Sequence, residues 1–391
     1  METLVQFGAG SIGRSFLGQL FSRGGYEVVF VDINDRLVEA LNQRRAYRVV
    51  VKHPDGRDEI LNIEKVCAIH AKEEKAVARV LAGARIAATA VGQRALPFVL
   101  PVIAKGLALR GNRPLDIILA ENLPGAAVFC RAALAKCLPA DYPFDALLGL
   151  VETSIGKMVP LMREEDLRKD PLWVFAEPYN DLILDRLAFR NPVPNVPGLK
   201  TVDHIQAYVE RKLYIHNLGH SAAAYLGYPG NPSADFIWEV LDKPGMVGEV
   251  KEAMMQAAAA LCREHPEDFT PRDLEEHADD LLDRFRNRAL GDTVHRAGRD
   301  LYRKLSRNDR LVGAILLGKK HGLPTHAISR VAAAAVHFRK GDERGLLFPD
   351  DLRFVEKDFP LGLMHILTRV SGLSPENPGD KSALDEILRF G

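Results

Sequence analysis

The sequence predicts an α/β fold, in which a doubly wound parallel sheet is followed by a mostly α-helical C-terminal domain. Short β-branched runs alternate with helical patterns from the first residue to about Glu152. This alternation is typical of a parallel sheet that helices cover on both faces. A glycine-rich turn separates the first strand from the first helix, and beyond about Asn195 amphipathic helical patterns replace the strands.

The first predicted elements follow one another closely. Residues Thr3–Phe7 are the first strand, and SFLGQLFSRGG is a helix that ends on Gly24 and Gly25. The second strand covers residues 27–31. Asn34 can cap the helix DRLVEALNQRR, because its side chain accepts hydrogen bonds from backbone N–H groups.

The alternation continues along the first domain. The next predicted helices are KEEKAVARVLAGA, ALPFVLPVIAKGLALRG and PGAAVFCRAALAKCL, and the strands are RIAATAVG, DIILAEN and LLGLVET. Pro124 is expected near the first turn of its helix. Residues 47–70 instead suggest a β-rich insertion with a hairpin turn at PDG.

The glycine-rich turn has the G-x-G-x-x-G pattern of a dinucleotide site and lies directly between a strand and a helix. After Phe7, the turn consists of Gly8, Ala9, Gly10, Ser11, Ile12 and Gly13. The first glycine allows the tight turn, the second lets the backbone approach a pyrophosphate, and the third permits close packing of helix and strand. The pyrophosphate would rest on the N-terminus of the helix.

Asp32 strengthens this interpretation, because it ends the second strand about 20 residues further on, where a carboxylate bonds the ribose 2′-hydroxyl. A carboxylate there would repel a 2′-phosphate, so NAD is favoured over NADP. Ala90, Val91 and Gly92 end a later strand and are expected to lie against the cofactor, although they also fit an ordinary strand-ending turn.

The Pro-rich stretch of residues 191–198 marks a domain boundary. We predict an NAD-binding Rossmann-type domain over residues 1–194, with the β-rich insertion near residues 47–70. A helical substrate and catalytic domain then covers residues 195–391. The active site is expected in the cleft between these domains.

The composition excludes several classes of protein. Lys and Arg number 52, as do Asp and Glu, so no net charge attracts nucleic acid or an anionic membrane. Signal-peptide, membrane-spanning and C-x-x-C patterns are missing from the sequence. We expect a cytoplasmic protein that binds a small molecule, with no nucleic-acid or membrane partner and with its oligomeric state left open.

A second polar pattern lies in the helical half, in the string ERKLYIHNLGH. At about 100° per residue, Lys212, His216, Asn217 and His220 of an α-helix share an arc of roughly 140°. A lysine can accept the hydroxyl proton of an alcohol if burial and neighbouring cations lower its pKa, and Arg211, His216 and His220 are the neighbours expected here. Asn217 could stabilise the developing alkoxide. No cluster with zinc-ligand spacing is evident.

These residues carry a family resemblance. Lys212, Asn217 and His220 match the K-x-x-x-x-N-x-x-H signature of the long-chain, metal-independent polyol dehydrogenases. The string ERKLYIHNLGHSAAAYLGY resembles the mannitol-1-phosphate 5-dehydrogenases within them, as do FGAGSIGRSFLGQLF, TAVGQRALP, ENLPG, DTVHRAGRDLYRKLSRNDRLVGA and AAAAVHFR. The short lead before Gly8 is similar to the same branch.

The resemblance implies that Lys212 is the general base and that Asn217 and His220 bind the reacting oxygen. It adds Asn122, in ENLPG, to the residues expected at the cofactor. Glu152 stands where other members place an Asp or Asn that can contact the reacting oxygen, and Gly156-Lys157 replaces a pair that is usually Asp-Arg. Glu152 also fits an ordinary strand end.

The expected reaction is the reversible, NAD-dependent oxidation of D-mannitol 1-phosphate to D-fructose 6-phosphate. A substrate phosphate should meet basic side chains. The candidates are Arg296, Arg299, Arg303, Lys304 and Arg339. The alternatives are a dehydrogenase of an unphosphorylated polyol or a hexuronate, and a dinucleotide-binding sensor without turnover.

Overall fold

The structure is a computed structural model that describes residues 1–160, 162 and 164–391. These residues form two compact units, Met1–Ile205 and Gln206–Gly391. The boundary proposed after residue 194 lies shortly before the strand Leu199–Val202, which pairs with another strand of the first unit.

The first unit is built on a large sheet with the strand order of a dinucleotide-binding fold. Its described strands are Thr3–Phe7 (β1), Glu27–Asp32 (β2), Ala46–Lys52 (β3), Asp58–Glu64 (β4), Val66–His70 (β5), Ile86–Thr89 (β6), Leu115–Leu119 (β7), Leu148–Ser154 (β8), Val174–Ala176 (β9), Leu182–Asp185 (β10) and Leu199–Val202 (β11). The large sheet runs β5-β2-β1-β6-β7-β8-β10-β11. From β5 to β8 this is the 3-2-1-4-5-6 order, so the predicted Rossmann-type class is confirmed.

One edge of the large sheet departs from the parallel pairing that the sequence predicts, whereas the predicted hairpin at PDG is present. Strand β10 runs antiparallel to β8, so the far edge of the sheet is mixed. In the predicted β-rich segment, β3 and β4 form an antiparallel hairpin, and β3 also pairs with β9 in a second sheet. The last part of that segment, β5, instead lies parallel to β2 as an edge strand of the large sheet.

Helices cover this sheet. The helices of the first unit are Gln19–Arg23 (α1), Asp35–Arg44 (α2), Glu74–Gly83 (α3), Leu96–Ala108 (α4), Ala126–Ala135 (α5), Phe144–Leu147 (α6) and Glu164–Lys169 (α7), and a π-helical turn, Gly13–Gly18, precedes α1. Asn34 caps α2 as predicted, since its side chain accepts the N–H of Leu37 at 3.1 Å. Pro124 lies before α5 and not in its first turn, because Gly125 is the N-cap residue with φ of +67°.

Alternate residues of the central strands build two apolar layers, one on each face of the sheet. Leu4 and Val28 belong to one buried cluster, whereas Val5 and Val31 belong to the other. This follows from the two-residue repeat of a strand. With both faces buried, the functional edge of the sheet is the one at which the strands end.

The second unit is helical from its first element. Its helices are Ile205–Arg211 (α8), Leu218–Gly230 (α9), Ile237–Leu241 (α10), Met246–Glu264 (α11), Pro271–Phe285 (α12), Val294–Gly298 (α13), Leu301–Lys304 (α14), Val312–Lys320 (α15), His326–Val336 (α16), Pro349–Lys357 (α17), Leu363–His365 (α18) and Pro378–Ile387 (α19). Short 3₁₀ turns cover Arg288–Leu290 and Phe359–Leu361, and π turns cover Lys212–Asn217 and Ile366–Val370. Among the described residues, no helix is long and apolar enough to cross a membrane.

Helix α9 packs closely on α11, the longest described helix of the second unit. A Cβ atom added to Gly219 would lie 2.5 Å from the Sδ atom of Met254. The glycine between Leu218 and His220 therefore allows the two helices to approach each other. This packing holds the start of α9 in place.

Candidate functional site

The glycine-rich turn lies at the end of β1 and packs against the end of β6. Gly8 has φ of +88°, which favours glycine, and its N–H donates to the carbonyl of Val31 at 2.8 Å. A Cβ on Gly8 would lie 2.5 Å from the carbonyl oxygen of Ala90, and one on Gly13 would lie 2.0 Å from the carbonyl oxygen of Gly8. A Cβ on Gly10 would meet no atom within 4 Å.

The three glycines therefore have different surroundings. Gly8 and Gly13 are buried and touch backbone, whereas Gly10 and Ser11 are exposed. Open space beside Gly10, at the start of a helical segment, is what the close approach of a pyrophosphate requires. The turn fits a dinucleotide.

Asp32 faces this turn. One carboxylate oxygen accepts the N–H of Ala9 at 2.7 Å, and the other accepts the N–H of Asn34 at 3.0 Å. Each carboxylate oxygen can accept more than one hydrogen bond, so both retain capacity for ribose hydroxyl groups. Asp32 is therefore placed as the sequence predicted, at the end of β2 and beside the turn.

A buried arginine holds the backbone of the glycine-rich turn in place. The Nε atom of Arg14 donates to the carbonyl of Ala9 at 2.7 Å, and another guanidinium nitrogen donates to the carbonyl of Leu172 at 2.7 Å. The Tyr47 hydroxyl donates to the carbonyl of Arg14 at 2.7 Å. The sequence pattern did not predict this role of Arg14, because its partners Leu172 and Tyr47 are distant from it in the chain.

Glu121 organises the neighbouring strand ends. It is buried, and its carboxylate accepts the hydroxyl of Thr89 at 2.6 Å and the N–H of Val91 at 3.0 Å. Burial raises the pKa of Glu121, and these hydrogen bonds oppose that rise. The turn with Ala90, Val91 and Gly92 is thus tied to the end of β7, where Asn122 is exposed.

Three residues of the first unit that the sequence singled out have mainly structural contacts. The Phe7 side chain is buried, and its carbonyl accepts the N–H of Ala90 at 2.8 Å. Glu152, at the end of β8, accepts the N–H of Ala127 at 2.9 Å, which places its carboxylate at the N-terminus of α5. Lys157 is buried and donates to the carbonyl of Tyr179 at 2.6 Å.

The second unit carries the K-x-x-x-x-N-x-x-H signature on one nearly continuous helical segment with a π turn in its middle. Helix α8 leads into the π turn Lys212–Asn217, and α9 follows directly. Such single-turn π segments are frequent at functional sites. The arc of roughly 140° expected for an ideal α-helix does not describe these residues, because the π turn widens the helix between Lys212 and Asn217.

Lys212 begins the π turn and has the character expected of a base. Burial, and then the positive charge of Arg310, lower the pKa of Lys212 to about 8. The sequence led us to expect Arg211, His216 and His220 as the neighbouring cations, and the structure gives Arg310 this role. Among the described residues, no group of His, Cys, Asp and Glu could hold a metal ion.

His220 is held by a carboxylate. Its Nε2 atom lies 2.5 Å from an oxygen of Asp292, and the centre of its ring lies 5.4 Å from the centre of the Phe285 ring. Burial alone would raise the pKa of Asp292, but the attraction of His220, Arg296 and Lys304 lowers it. Asp292 is therefore a buried carboxylate that orients His220 and leaves the Nδ1 side of the ring for another partner.

Three of the five basic residues expected to bind a substrate phosphate form hydrogen bonds with other groups of the protein. Arg303 bonds Asp300 and Asp309, Lys304 donates to the carbonyl of Ala297, and Arg339 donates to the carbonyls of Val336 and Phe338. Arg299 lies 5.5 Å from the ring centre of Phe348. A guanidinium nitrogen of Arg296 lies 3.7 Å from an oxygen of Asp292, and the Arg296 side chain is 36% exposed.

Sequence reasoning missed Asp292 and Arg310. Both lie in the string DTVHRAGRDLYRKLSRNDRLVGA, which carried part of the family resemblance, but no local pattern links them to the signature. The His220–Asp292 contact joins residues 72 positions apart, and Arg310 bonds the carbonyl of Asn217 across 93 positions.

Comparisons with known proteins agree with this arrangement. The family model described as the mannitol dehydrogenase Rossmann domain matches residues 2–198, and that of the mannitol dehydrogenase C-terminal domain matches residues 204–357. The fold is similar to a D-sorbitol dehydrogenase in substrate-free form, at 16% identity and a TM-score of 0.77, over 99% of this chain and 91% of that chain.

It is also similar to mannitol 2-dehydrogenase of Pseudomonas fluorescens in a ternary complex with NAD and D-mannitol, at 19% identity and a TM-score of 0.70. That match covers 100% of this chain and 95% of that chain. At such identities the two structures support the fold alone, whereas the family models span both units. The chain belongs to the mannitol dehydrogenase family, a family of NAD-dependent polyol dehydrogenases.

Proposed function

We propose that this chain catalyses the reversible oxidation of D-mannitol 1-phosphate to D-fructose 6-phosphate with NAD, and that Lys212 is the general base. The observation that carries the proposal is a mostly buried lysine at the start of a π turn, with a pKa lowered to about 8. A base of this pKa is partly neutral at physiological pH and can accept a proton.

Lys212 acts on the hydroxyl proton. In the direction of oxidation the neutral amine accepts the proton of the substrate hydroxyl, and the electron pair of the C–H bond leaves as hydride. Bound NAD supplies the acceptor for that hydride. In the direction of reduction the ammonium form of Lys212 returns the proton to the carbonyl oxygen.

Asn217 and His220 bind the same oxygen in this proposal. The Asn217 amide donates a hydrogen bond to the oxygen as negative charge develops on it. Asp292 accepts from Nε2 of His220 and fixes the orientation of the imidazole ring, so that Nδ1 is directed to the substrate.

In the first unit, the residues proposed to hold NAD are those of the glycine-rich turn and the neighbouring strand ends. Backbone N–H groups at Gly10 and Ser11 receive the pyrophosphate, and Asp32 receives the adenosine ribose. Ala90, Val91, Gly92 and Asn122 line the next part of the site. We propose that Glu152 lies at the edge of the site, because its carboxylate already accepts the backbone N–H of Ala127.

Arg296 is the candidate for the substrate phosphate that the structure favours. Its guanidinium is partly exposed and lies 3.7 Å from Asp292, the carboxylate that contacts His220. A second candidate substrate is an unphosphorylated polyol. It is favoured by the two similar structures, a sorbitol dehydrogenase and a mannitol 2-dehydrogenase.

The test is to follow NADH formation with purified protein, NAD, and either mannitol 1-phosphate or mannitol. The proposal predicts turnover of the phosphate ester with a much higher kcat/KM than for free mannitol. Arg296→Gln should raise KM for the ester and leave KM for free mannitol nearly unchanged. Turnover of free mannitol or sorbitol alone would favour the second candidate and overturn the phosphate assignment.

A further inference from the structure

Arg310 contacts the signature segment from a distant part of the chain. It is 5% exposed, and one guanidinium nitrogen donates to the carbonyl of Asn217 at 3.2 Å and to the hydroxyl of Ser221 at 3.4 Å. Asn217 is the last residue of the π turn, and Ser221 lies one turn into α9. One buried side chain therefore bonds both sides of the place where the π turn ends.

A carboxylate fixes the position of this arginine. The Nε atom of Arg310 donates to Asp309 at 2.7 Å, and Arg303 bonds the other oxygen of Asp309 at 3.2 Å. Burial would raise the pKa of Asp309, but the attraction of Arg310 and Arg303 lowers it, so Asp309 stays ionised. Arg310 is thus held in one orientation and remains charged.

Several other ionisable groups lie around the π turn. They are His216 in the turn itself, His220 on α9, His277 and Arg284 on α12, Glu264 on α11, Glu210 on α8, Asp292 beside His220, and Asp309 beside Arg310. Burial lowers the pKa of His216 well below its usual range and that of His277 to about 3, so both rings are neutral at physiological pH. Among the described residues, Arg310 is a cation whose charge lowers the pKa of Lys212, after burial.

We propose that Arg310 is a positioning residue for the reaction, which ties the π turn to α9 and uses its fixed charge to favour the neutral amine of Lys212. The inference rests on the proposed function of Lys212 as a base. The hydrogen bonds to Asn217 and Ser221 keep Lys212, Asn217 and His220 in one arrangement, while the charge prepares Lys212 to accept a proton. One side chain thereby controls both geometry and protonation.

Two variants separate these effects. Arg310→Gln removes the charge and, because glutamine is shorter by two bonds, also the donor to the Asn217 carbonyl, whereas Arg310→Lys keeps the charge but removes the planar set of donors. Arg307→Gln is the matched control, because Arg307 lies in the same loop and pairs with Asp380. All variants are made in the full chain, and thermal unfolding checks that each is folded.

The first readout is the titration of Lys212 itself, followed by NMR of protein labelled with ¹³C at the lysine ε-carbons and assigned with Lys212→Met. The unmodified chain should titrate near a pKa of about 8. Loss of the neighbouring cation should raise this value by about one unit in Arg310→Gln. Arg310→Lys and Arg307→Gln should leave it unchanged. Because no substrate is needed, this readout stands even if the proposed substrate is wrong.

The second readout is the pH dependence of kcat/KM for polyol oxidation. The base must be neutral, so activity rises with pH through the pKa of Lys212 and reaches a plateau above it. Arg310→Gln should move this rise to higher pH and, because it also loses the donor to Asn217, should share the lowered kcat of Arg310→Lys. Arg310→Lys should lower kcat about tenfold or more at every pH, since a buried hydrogen-bonding partner is lost.

An unchanged Lys212 titration in Arg310→Gln would overturn the electrostatic part, and unchanged kcat in Arg310→Lys would overturn the positioning part. If Arg310→Gln does not fold, Arg310→Lys still decides the positioning part. If the unmodified chain turns over no polyol, the proposed function fails, and the NMR titration alone reports on Arg310.

Discussion

At the scale of single residues, the candidate catalytic groups are held by charged partners that are distant in the chain. Asp292 orients His220, and the positive charge of Arg310 helps to lower the pKa of Lys212. The signature itself could be found in the sequence, because the spacing of Lys212, Asn217 and His220 is local. Asp292 and Arg310 could not, since only the folded chain brings them to the signature.

Asp292→Asn tests the orientation of His220. The amide keeps the size of the side chain but removes the negative charge, so the ring loses its charge-assisted partner. We expect kcat for polyol oxidation to fall about tenfold or more, with NADH affinity unchanged. Asp242→Asn is the control, because Asp242 pairs with Arg286 and Arg288 at the surface of the same unit. Equal activity of the two variants would argue against a role for Asp292.

Asp32→Ser tests the cofactor assignment. Removing the carboxylate eliminates charge-assisted bonds to the ribose and the bond to the Ala9 N–H, so NADH affinity should fall about tenfold or more. The preference for NADH over NADPH should weaken as well, because the repelling charge is gone. Asp35→Asn removes a charge from a side chain that is 90% exposed and should change neither property. Fluorescence titration measures both affinities.

At the scale of secondary-structure elements, the glycine-rich turn and the π turn place the functional groups. The first was predictable, because G-x-G-x-x-G between a strand and a helix has a direct physical meaning. The second was not, because an expanded turn at Lys212–Asn217 leaves no distinct residue pattern in the sequence. The edge strand β5 was assigned to an insertion for a similar reason, since sequence alternation does not tell which sheet a short strand joins.

The glycine-rich turn offers a comparison of two similar substitutions. A Cβ in Gly13→Ala would lie 2.0 Å from the Gly8 carbonyl oxygen, so the variant should lose about 1–3 kcal/mol in free energy of unfolding. A Cβ in Gly10→Ala meets no atom within 4 Å. That variant should keep its stability and lose NADH affinity, because the methyl group occupies the space expected for the pyrophosphate.

Urea unfolding and NADH titration of the full-length variants measure the two effects. Normal NADH affinity in Gly10→Ala would contradict the placement of the pyrophosphate. Normal stability in Gly13→Ala would contradict the close contact between Gly13 and the Gly8 carbonyl within the turn.

At the scale of the whole molecule, the order of the units and the family were predictable from the sequence. The alternation of strands and helices, followed by a helical half, predicted the class, and family models now match both units. The mixed edge of the sheet was not predictable, because the short strands β10 and β11 follow a stretch with little periodicity. The common fold does not determine the substrate, because substrate specificity depends on few side chains. Whether the substrate carries a phosphate is therefore tested by comparing turnover of the phosphate ester with turnover of the free polyol.

The proposal that Lys212 is the general base is tested most directly by the effect of Lys212→Met on polyol oxidation and on NADH binding. Methionine keeps much of the side-chain volume and removes the base, so turnover should fall about 10²- to 10⁴-fold with NADH affinity nearly unchanged. Lys251→Met, which removes a lysine of α11 that pairs with Glu275 and Asp279 of α12, should behave like the unmodified chain. Near-normal turnover in Lys212→Met would contradict the proposal that Lys212 is the general base.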